Sequence, residues 1–241
     1  MDFKDNVLQL AERIKKQKDA IQTEEATKNA FIMPIITALG YDVFNPFEVV
    51  PEMDCDLTRK GDKIDYAIKK DGRTIILIEC KHCKQNLDLH NTQLSKYYAA
   101  SNARFGVLTN GIEYRFYADL DKTNIMDEKP FLVVNMLDLS DADIEEMKKF
   151  HKSCYNESEI FSTAKELQMM IQIKEILAKN FQSPGDEFTR YFVRSLNNGK
   201  STPKLIEEYR PIVRKSILSV IGGMISGRPD TAILVKEEKP R

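Results

Sequence analysis

Apolar residues recur at Val7, Leu10, Ala11 and Ile14 among charged neighbours, the spacing of one helix face. A second stripe, Ala26, Phe31, Ile32, Ile35, Ile36 and Leu39, follows Thr23, an N-cap residue type, and stops at Gly40. Pro34 within that stripe predicts a kink, because it lacks the N–H that a helical turn needs. From Tyr41 the pattern changes. Residues 41–50 read as an edge or irregular strand marked by Pro46 and Pro51, and residues 51–62 as a polar loop. The stretch KIDYAIKKDGRTIILIECK, Lys63 to Lys81, then reads as two strands around Asp71-Gly72 and predicts a β-hairpin. Leu89, Leu94, Tyr97, Tyr98 and Ala100 predict a helix over 88–102. Phe105–Thr109 and Glu113–Tyr117 flank Asn110-Gly111, a type I′ turn signature, and FLVVNML (131–137) predicts one more strand.

From Ser140 onward the pattern is helical. Ser140 with Asp143 reads as a capping box. Ala164, Leu167, Ile171, Leu177 and Phe181 trace a helix over 158–181. Ser183-Pro184 and Thr202-Pro203 each read as an N-cap followed by proline at the first helical position. Gly222-Gly223 and Gly227 interrupt the last helix, and the tail VKEEKPR is expected to fray. The expected fold class is therefore α/β. A mixed sheet flanked by helices occupies residues 1–139, and a helical C-terminal region with a DNA-binding or oligomerisation role occupies 140–241.

Composition narrows the class without naming a partner. At 241 residues and 42% hydrophobic, the chain can bury a sizeable core. Lys+Arg (36) and Asp+Glu (37) nearly cancel, so any surface for a polyanion must be local. The charged N-terminus lacks the apolar core of a signal peptide, and no run approaches the roughly 20 apolar residues of a membrane span. Four cysteines are too few for a disulfide scaffold and suit a reducing cytoplasm.

The candidate chemistry lies in the first hairpin. Asp65, Glu79 and Lys81 interrupt strands that are otherwise apolar, where an unpaired charge would cost several kcal/mol. Side chains alternate faces along a strand, so Glu79 and Lys81 share one. A two-residue Asp71-Gly72 loop sets Asp65 opposite Ile78. A longer loop, or one bulge, sets it opposite Glu79, and only then do the acids meet. Two such carboxylates with the main-chain carbonyl of Cys80 offer hard oxygen ligands for Mg²⁺, with Mn²⁺ able to substitute. Lys81 would position the attacking water or offset phosphate charge.

The set Asp65, Glu79-x-Lys81 resembles the PD-(D/E)XK nuclease signature. The stretches TEEATKNAFIMPIITALGYD, GDKIDYAI, LIECK, QLSKYY and FGVLTNGIEYRFYADLD resemble the N-terminal nuclease domain of type I restriction endonuclease R subunits, and stand-alone proteins that carry it. The resemblance implies a restriction-endonuclease-like fold, Asp65 and Glu79 as metal ligands and Lys81 as the catalytic lysine. It implies a site role for Gln93 and Tyr97, the Q-x-x-x-Y element. It also implies an acid from the first helix of the domain, Glu24 by the E-x-x-T-(R/K) pattern through Thr27 and Lys28, with Glu25 as the alternative. Ile64-Asp65 stands where the signature has Pro-Asp. The chain carries no Walker A loop, so a motor function is not expected of it.

The expected function is a Mg²⁺-dependent deoxyribonuclease, an endonuclease of restriction or defence. Its expected partners are DNA, a second copy of the chain and other restriction-system subunits. The alternative is a non-catalytic nucleic-acid-binding or assembly module that keeps the fold. Cys80-x-x-Cys83 lacks the second ligand pair of a structural zinc site, and Cys80 is expected in the core. Between residues 183 and 219, seven basic side chains face four acidic ones, a pattern shared by phosphate-binding and solvated helix surfaces.

Overall fold

The computed structural model describes residues 2–54, 63–89 and 91–226. Its sheet runs in the order β1 (Val49–Asp54), β2 (Lys63–Lys70), β3 (Arg73–Cys80), β4 (Phe105–Thr109), β5 (Glu113–Tyr117) and β6 (Leu132–Asn135). Neighbours are antiparallel except β3 and β4, which are parallel. A parallel pair needs a long crossover. Residues 81–104 supply it and include α4 (Asn91–Ala100). Because β3 and β4 are covered on both faces, they read as unbroken apolar runs rather than alternating ones.

The rest of the helical framework is α1 (Phe3–Gln17), α2 (Glu24–Thr27), α3 (Met33–Ala38), α5 (Asp141–Lys148), α6 (Glu157–Gln182), α7 (Asp186–Leu196) and α8 (Pro203–Ser226). One sheet face buries Ile68, Ile76, Ile78, Val107 and Phe116 against Ile32, Ile35 and Ile36 before the sheet and Met147 and Phe150 after it. Phe150 is the anchor there, with Phe105 edge-on at 5.4 Å and Phe116 at 4.8 Å between ring centroids. The other face buries Ala67, Leu77, Leu108 and Tyr117 with Leu94, Tyr97 and Tyr98 of α4. A fully buried side chain of this size contributes about 1.5–3 kcal/mol, so the two layers hold the strands that carry the charges.

Two compact units divide at Met169 and Met170. The expected boundary at 139/140 lies inside the first, because Ile144, Met147 and Phe150 join its sheet core. In the second unit, α7 and α8 bury Val193, Ile206 and Val213, and Arg210 bonds Asp186 at 2.6 Å and Glu207 at 2.7 Å. No described helix is long and apolar enough to cross a membrane.

Several boundaries differ from expectation for identifiable reasons. Residues 51–54 are strand, not loop: β1 is an edge, where Pro51 removes no ladder donor that the sheet needs. Within 41–50 only Val49 and Val50 are extended, because Asp42 and Asn45 accept the N–H groups of Phe44 and Phe47 and turn the chain. Residues 55–62 lie outside the described residues. α7 is capped at Gly185 rather than Ser183, whose N–H still closes α6 on Lys179. α8 runs through Gly222-Gly223, while Gly227 and the tail lie outside the described residues. The second hairpin is not type I′. Gly111 takes a positive φ but Asn110 does not, and the Asn110 side-chain Oδ1 accepts the N–H groups of Ile112 and Glu113.

The capping box at Ser140 is present in both directions, with Asp143 returning to the Ser140 N–H at 2.9 Å. Ser140→Ala should lower stability by about 1 kcal/mol, read by urea denaturation, with no change in any site property.

Candidate active site

The hairpin meets its geometric condition through a bulge. Near the turn Lys70 faces Arg73 and Lys69 faces Thr74, the register of a two-residue loop. Between Ile68 and Lys69 the register slips by one, so that Ile68 faces Ile76 and Tyr66 faces Ile78. The paired register ends there, and Asp65 reaches β3 through its side chain, which accepts the Cys80 N–H beside Glu79. The alternation of β2 breaks nearer the site, between Ile64 and Tyr66: Ile64 and Ala67 pack on the α4 side, whereas Tyr66 and Ile68 pack on the other. Irregularities of this kind re-aim side chains, and bulges are recurrent features beside active sites.

Both oxygens of Asp65 are engaged. Oδ1 contacts the Lys28 ammonium, and Oδ2 accepts the Cys80 N–H at 2.7 Å. Lys28 opens a five-residue π turn, Lys28–Ile32, between α2 and α3. Pro34 follows in the first turn of α3 and has no N–H to give, so the expected kink is expressed as this wider turn. Burial pulls the Lys28 pKa down, but the hydrogen bond and charge of Asp65 outweigh it and hold the group above the ordinary lysine value.

Glu79 is 1% exposed, and its two oxygens are treated unequally. Oε1 accepts from the Lys81 ammonium at 2.5 Å, while Oε2 is buried with no hydrogen-bond partner among the described residues. A buried acceptor left open costs about 1–3 kcal/mol, so Oε2 marks a place for a proton, a water or a cation. Burial pushes the Glu79 pKa up to about 7, opposed by the Lys81 hydrogen bond and assisted by the charges of Asp65 and Glu24. In metal-free buffer the folded chain therefore keeps a proton that the unfolded chain releases between about pH 4.5 and 7. Stability should fall as pH rises through that window, by up to about 3 kcal/mol, and level off above it. Glu79→Gln should remove this component, seen by comparing denaturation midpoints of the two proteins at pH 5 and pH 8.

The loop after β3 is fixed from three sides. The Lys81 N–H bonds Thr109 O at 2.8 Å, Asn110 Nδ2 bonds Gln85 O at 2.9 Å, and the Cys83 N–H bonds Thr27 Oγ1 at 3.1 Å. Thr27 is fully buried, and its hydroxyl donates to Thr23 O in turn. It therefore ties the helix carrying Lys28 to the loop carrying Lys81. Gly111 is packed into the same joint. A Cβ there would lie 2.8 Å from Phe31 Cβ and 3.1 Å from Thr27 Cγ2.

The remaining expected residues take distinct positions. Gln93 Nε2 donates to Lys63 O at 3.0 Å, two residues before Asp65. Tyr97, one helical turn on, is 1% exposed and packs in the α4 core. Glu24 is 40% exposed at 3.8 Å from Lys28, and Glu25 is 70% exposed at 3.9 Å. Cys80 is fully buried, as its strand position requires, and burial pushes its thiol up. His90 lies outside the described residues. Lys28 and the Thr27 bond escape a reading of residue pattern, although the E-x-x-T-(R/K) motif contains both residues.

Residues 45–125 match the family model of the type I restriction enzyme R protein N terminus. This stretch resembles that domain. It covers about a third of the chain, and it holds the bulged hairpin, Gln93, Tyr97 and Gly111. Glu24, Thr27 and Lys28 precede the part that matches the R protein N terminus. No curated protein and no solved structure matches the chain.

The donor set is carboxylate and carbonyl oxygen, which suits a small hard cation. The open Glu79 Oε2 fits one directly. Asp65 fits one only by exchanging a present partner. Among the described residues, no three His, Cys, Asp or Glu side chains already stand as a metal cluster.

Proposed function

We propose that the chain is a divalent-metal-dependent deoxyribonuclease, an endonuclease of a restriction or defence system. The observation that carries this reading is the bulged hairpin in which Asp65 accepts the Cys80 N–H next to Glu79, beside a part-buried lysine, within a stretch resembling the R protein N terminus. Asp65, Glu79 and the Cys80 carbonyl would hold Mg²⁺ or Mn²⁺, with Glu24 the nearest further acid on the helical side. When bound, the ion supplies Lewis acidity to the phosphate and lowers the pKa of a water.

The chain's own groups divide the remaining work. Lys81 stays protonated, because its bond to Glu79 outweighs the effect of burial. As a mobile point charge on the Glu79 side, it would orient the attacking water and offset charge developing on the phosphoryl oxygens. The attacking water releases a proton to solvent as its oxygen forms the new bond to phosphorus, the ester P–O bond breaks, and the leaving oxygen gains a proton from solvent. Gln93 would act through the backbone, its bond to Lys63 O holding the start of β2 and hence Asp65.

The test is incubation of supercoiled plasmid with the full chain and Mg²⁺ or Mn²⁺, against the same mixture with EDTA. Metal-dependent nicking or linearisation supports the reading. Binding of DNA without cleavage under either metal would replace it with the non-catalytic nucleic-acid module. Parallel single-stranded, RNA and junction substrates define the substrate class.

A further inference from the structure

Asp65 is held in place by groups of the chain itself. The cation on it is Lys28, only 15% exposed, which also stands within 4 Å of both Glu24 and Glu25. One ammonium thus faces three carboxylates drawn from α2 and β2. Its reach to β2 comes from the π turn that Lys28 opens, and the turn is anchored by the Thr27 hydroxyl against Cys83. The other Asp65 oxygen is taken by a backbone N–H, so neither is open, in contrast to Glu79 Oε2.

We propose that Lys28 is the resident counter-ion of Asp65, which a divalent cation must displace, so that Lys28 sets how tightly the site takes that cation. The inference rests on the metal-dependent reading above. A divalent ion that draws Asp65 away must overcome the ion pair with Lys28. The displaced ammonium is not stranded, because Glu24 and Glu25 lie one helical turn back on its own face. Lys28 is thus a positioning residue: it keeps the Asp65 carboxylate aimed, at the expense of affinity for the ion.

The test is Mn²⁺ titration of the full chain, followed by the paramagnetic resonance signal of free Mn²⁺. Lys28→Met should bind Mn²⁺ about tenfold tighter or more, each decade being about 1.4 kcal/mol. Lys28→Arg keeps a cation on Asp65 and should bind no tighter than wild type. Lys84→Met removes an exposed charge three residues beyond Lys81 and should stay within about twofold, since exposed charges are screened. If Lys28→Met is less stable without metal, Mn²⁺ should raise its melting temperature by more than it raises that of wild type. Wild-type binding that depends on Glu79, with Lys28→Met no tighter, would overturn the inference and leave the metal-dependent reading standing. Absence of Glu79-dependent binding in both proteins would overturn both.

Discussion

Plasmid cleavage by Lys81→Ala protein is expected to fall by about 10²–10³-fold or more relative to wild type, the usual effect of deleting one group aimed at transition-state charge. Its helical content should change little, because Lys81 lies beyond the end of β3 and the Thr109 bond uses its backbone N–H, while loss of the partner of Glu79 Oε1 should cost about 1–3 kcal/mol of stability. Mn²⁺ affinity should be retained or increased, since a positive charge leaves the site. Glu79→Ala should behave differently and lose both cleavage and Mn²⁺ affinity, because it removes the open carboxylate oxygen. Kinetics and metal binding measured on both variants separate the roles. Equal loss of metal affinity in the two would mean that Lys81 acts by holding Glu79 rather than by meeting phosphate.

The second large effect is expected at Gly111, outside the charged cluster. Its φ of 77° disfavours any side chain, and a Cβ would press on Phe31 and Thr27 from 2.8 and 3.1 Å. Gly111→Ala should destabilise the chain by roughly 2–4 kcal/mol through strain and overpacking combined. Gly72→Ala is the control. Its φ is 76°, but a Cβ there meets nothing within 4 Å, so only backbone strain of about 1 kcal/mol applies. Because Gly111 packs on Thr27, which bonds the loop that follows Glu79, Gly111→Ala should also weaken Mn²⁺ binding, while Gly72→Ala should not. Equal midpoints for the two variants in urea would show that the hairpin tip does not bear on the helix.

The two hairpins illustrate how far the chain could be read without coordinates. The strand-like runs around Asp71-Gly72 and Asn110-Gly111 are local patterns; β4 and β5 have the bounds those runs predict, and β3 ends at Cys80, one residue before Lys81. The need for a bulge followed from counting residues between Asp65 and Glu79. Its position between Ile68 and Lys69 did not, because a slip of register carries no residue signature here. Pro51 marked an edge strand, because a proline is excluded from a sheet interior, but the polar residues 51–54 hid that the strand continues to Asp54. Gly222-Gly223 read as an interruption for a similar reason: propensity is a weak prior that a long helix overrides. At Asn110, the side-chain carbonyl takes over the turn that a positive φ would have made.

The site shows the same division. Asp65, Glu79 and Lys81 stand out in sequence because they break apolar runs, a local signal. Lys28 sits among charged residues on an amphipathic helix, where solvation is the ordinary expectation. Its contact with Asp65 spans 37 positions and depends on a π turn. Gln93 shares a helix face with Tyr97, but one reaches a backbone carbonyl and the other is core. Periodicity cannot separate those fates, since both satisfy the same spacing.

The central claim is that Asp65, Glu79 and Lys81 form one metal-dependent site. Anomalous scattering from Mn²⁺-soaked crystals tests it most directly. The account predicts a peak within ligand distance of Glu79 Oε2 and Asp65, with Lys28 moved off Asp65 toward Glu24 and Glu25. A saturated soak with no peak beside Glu79, and Lys28 still paired with Asp65, would contradict it.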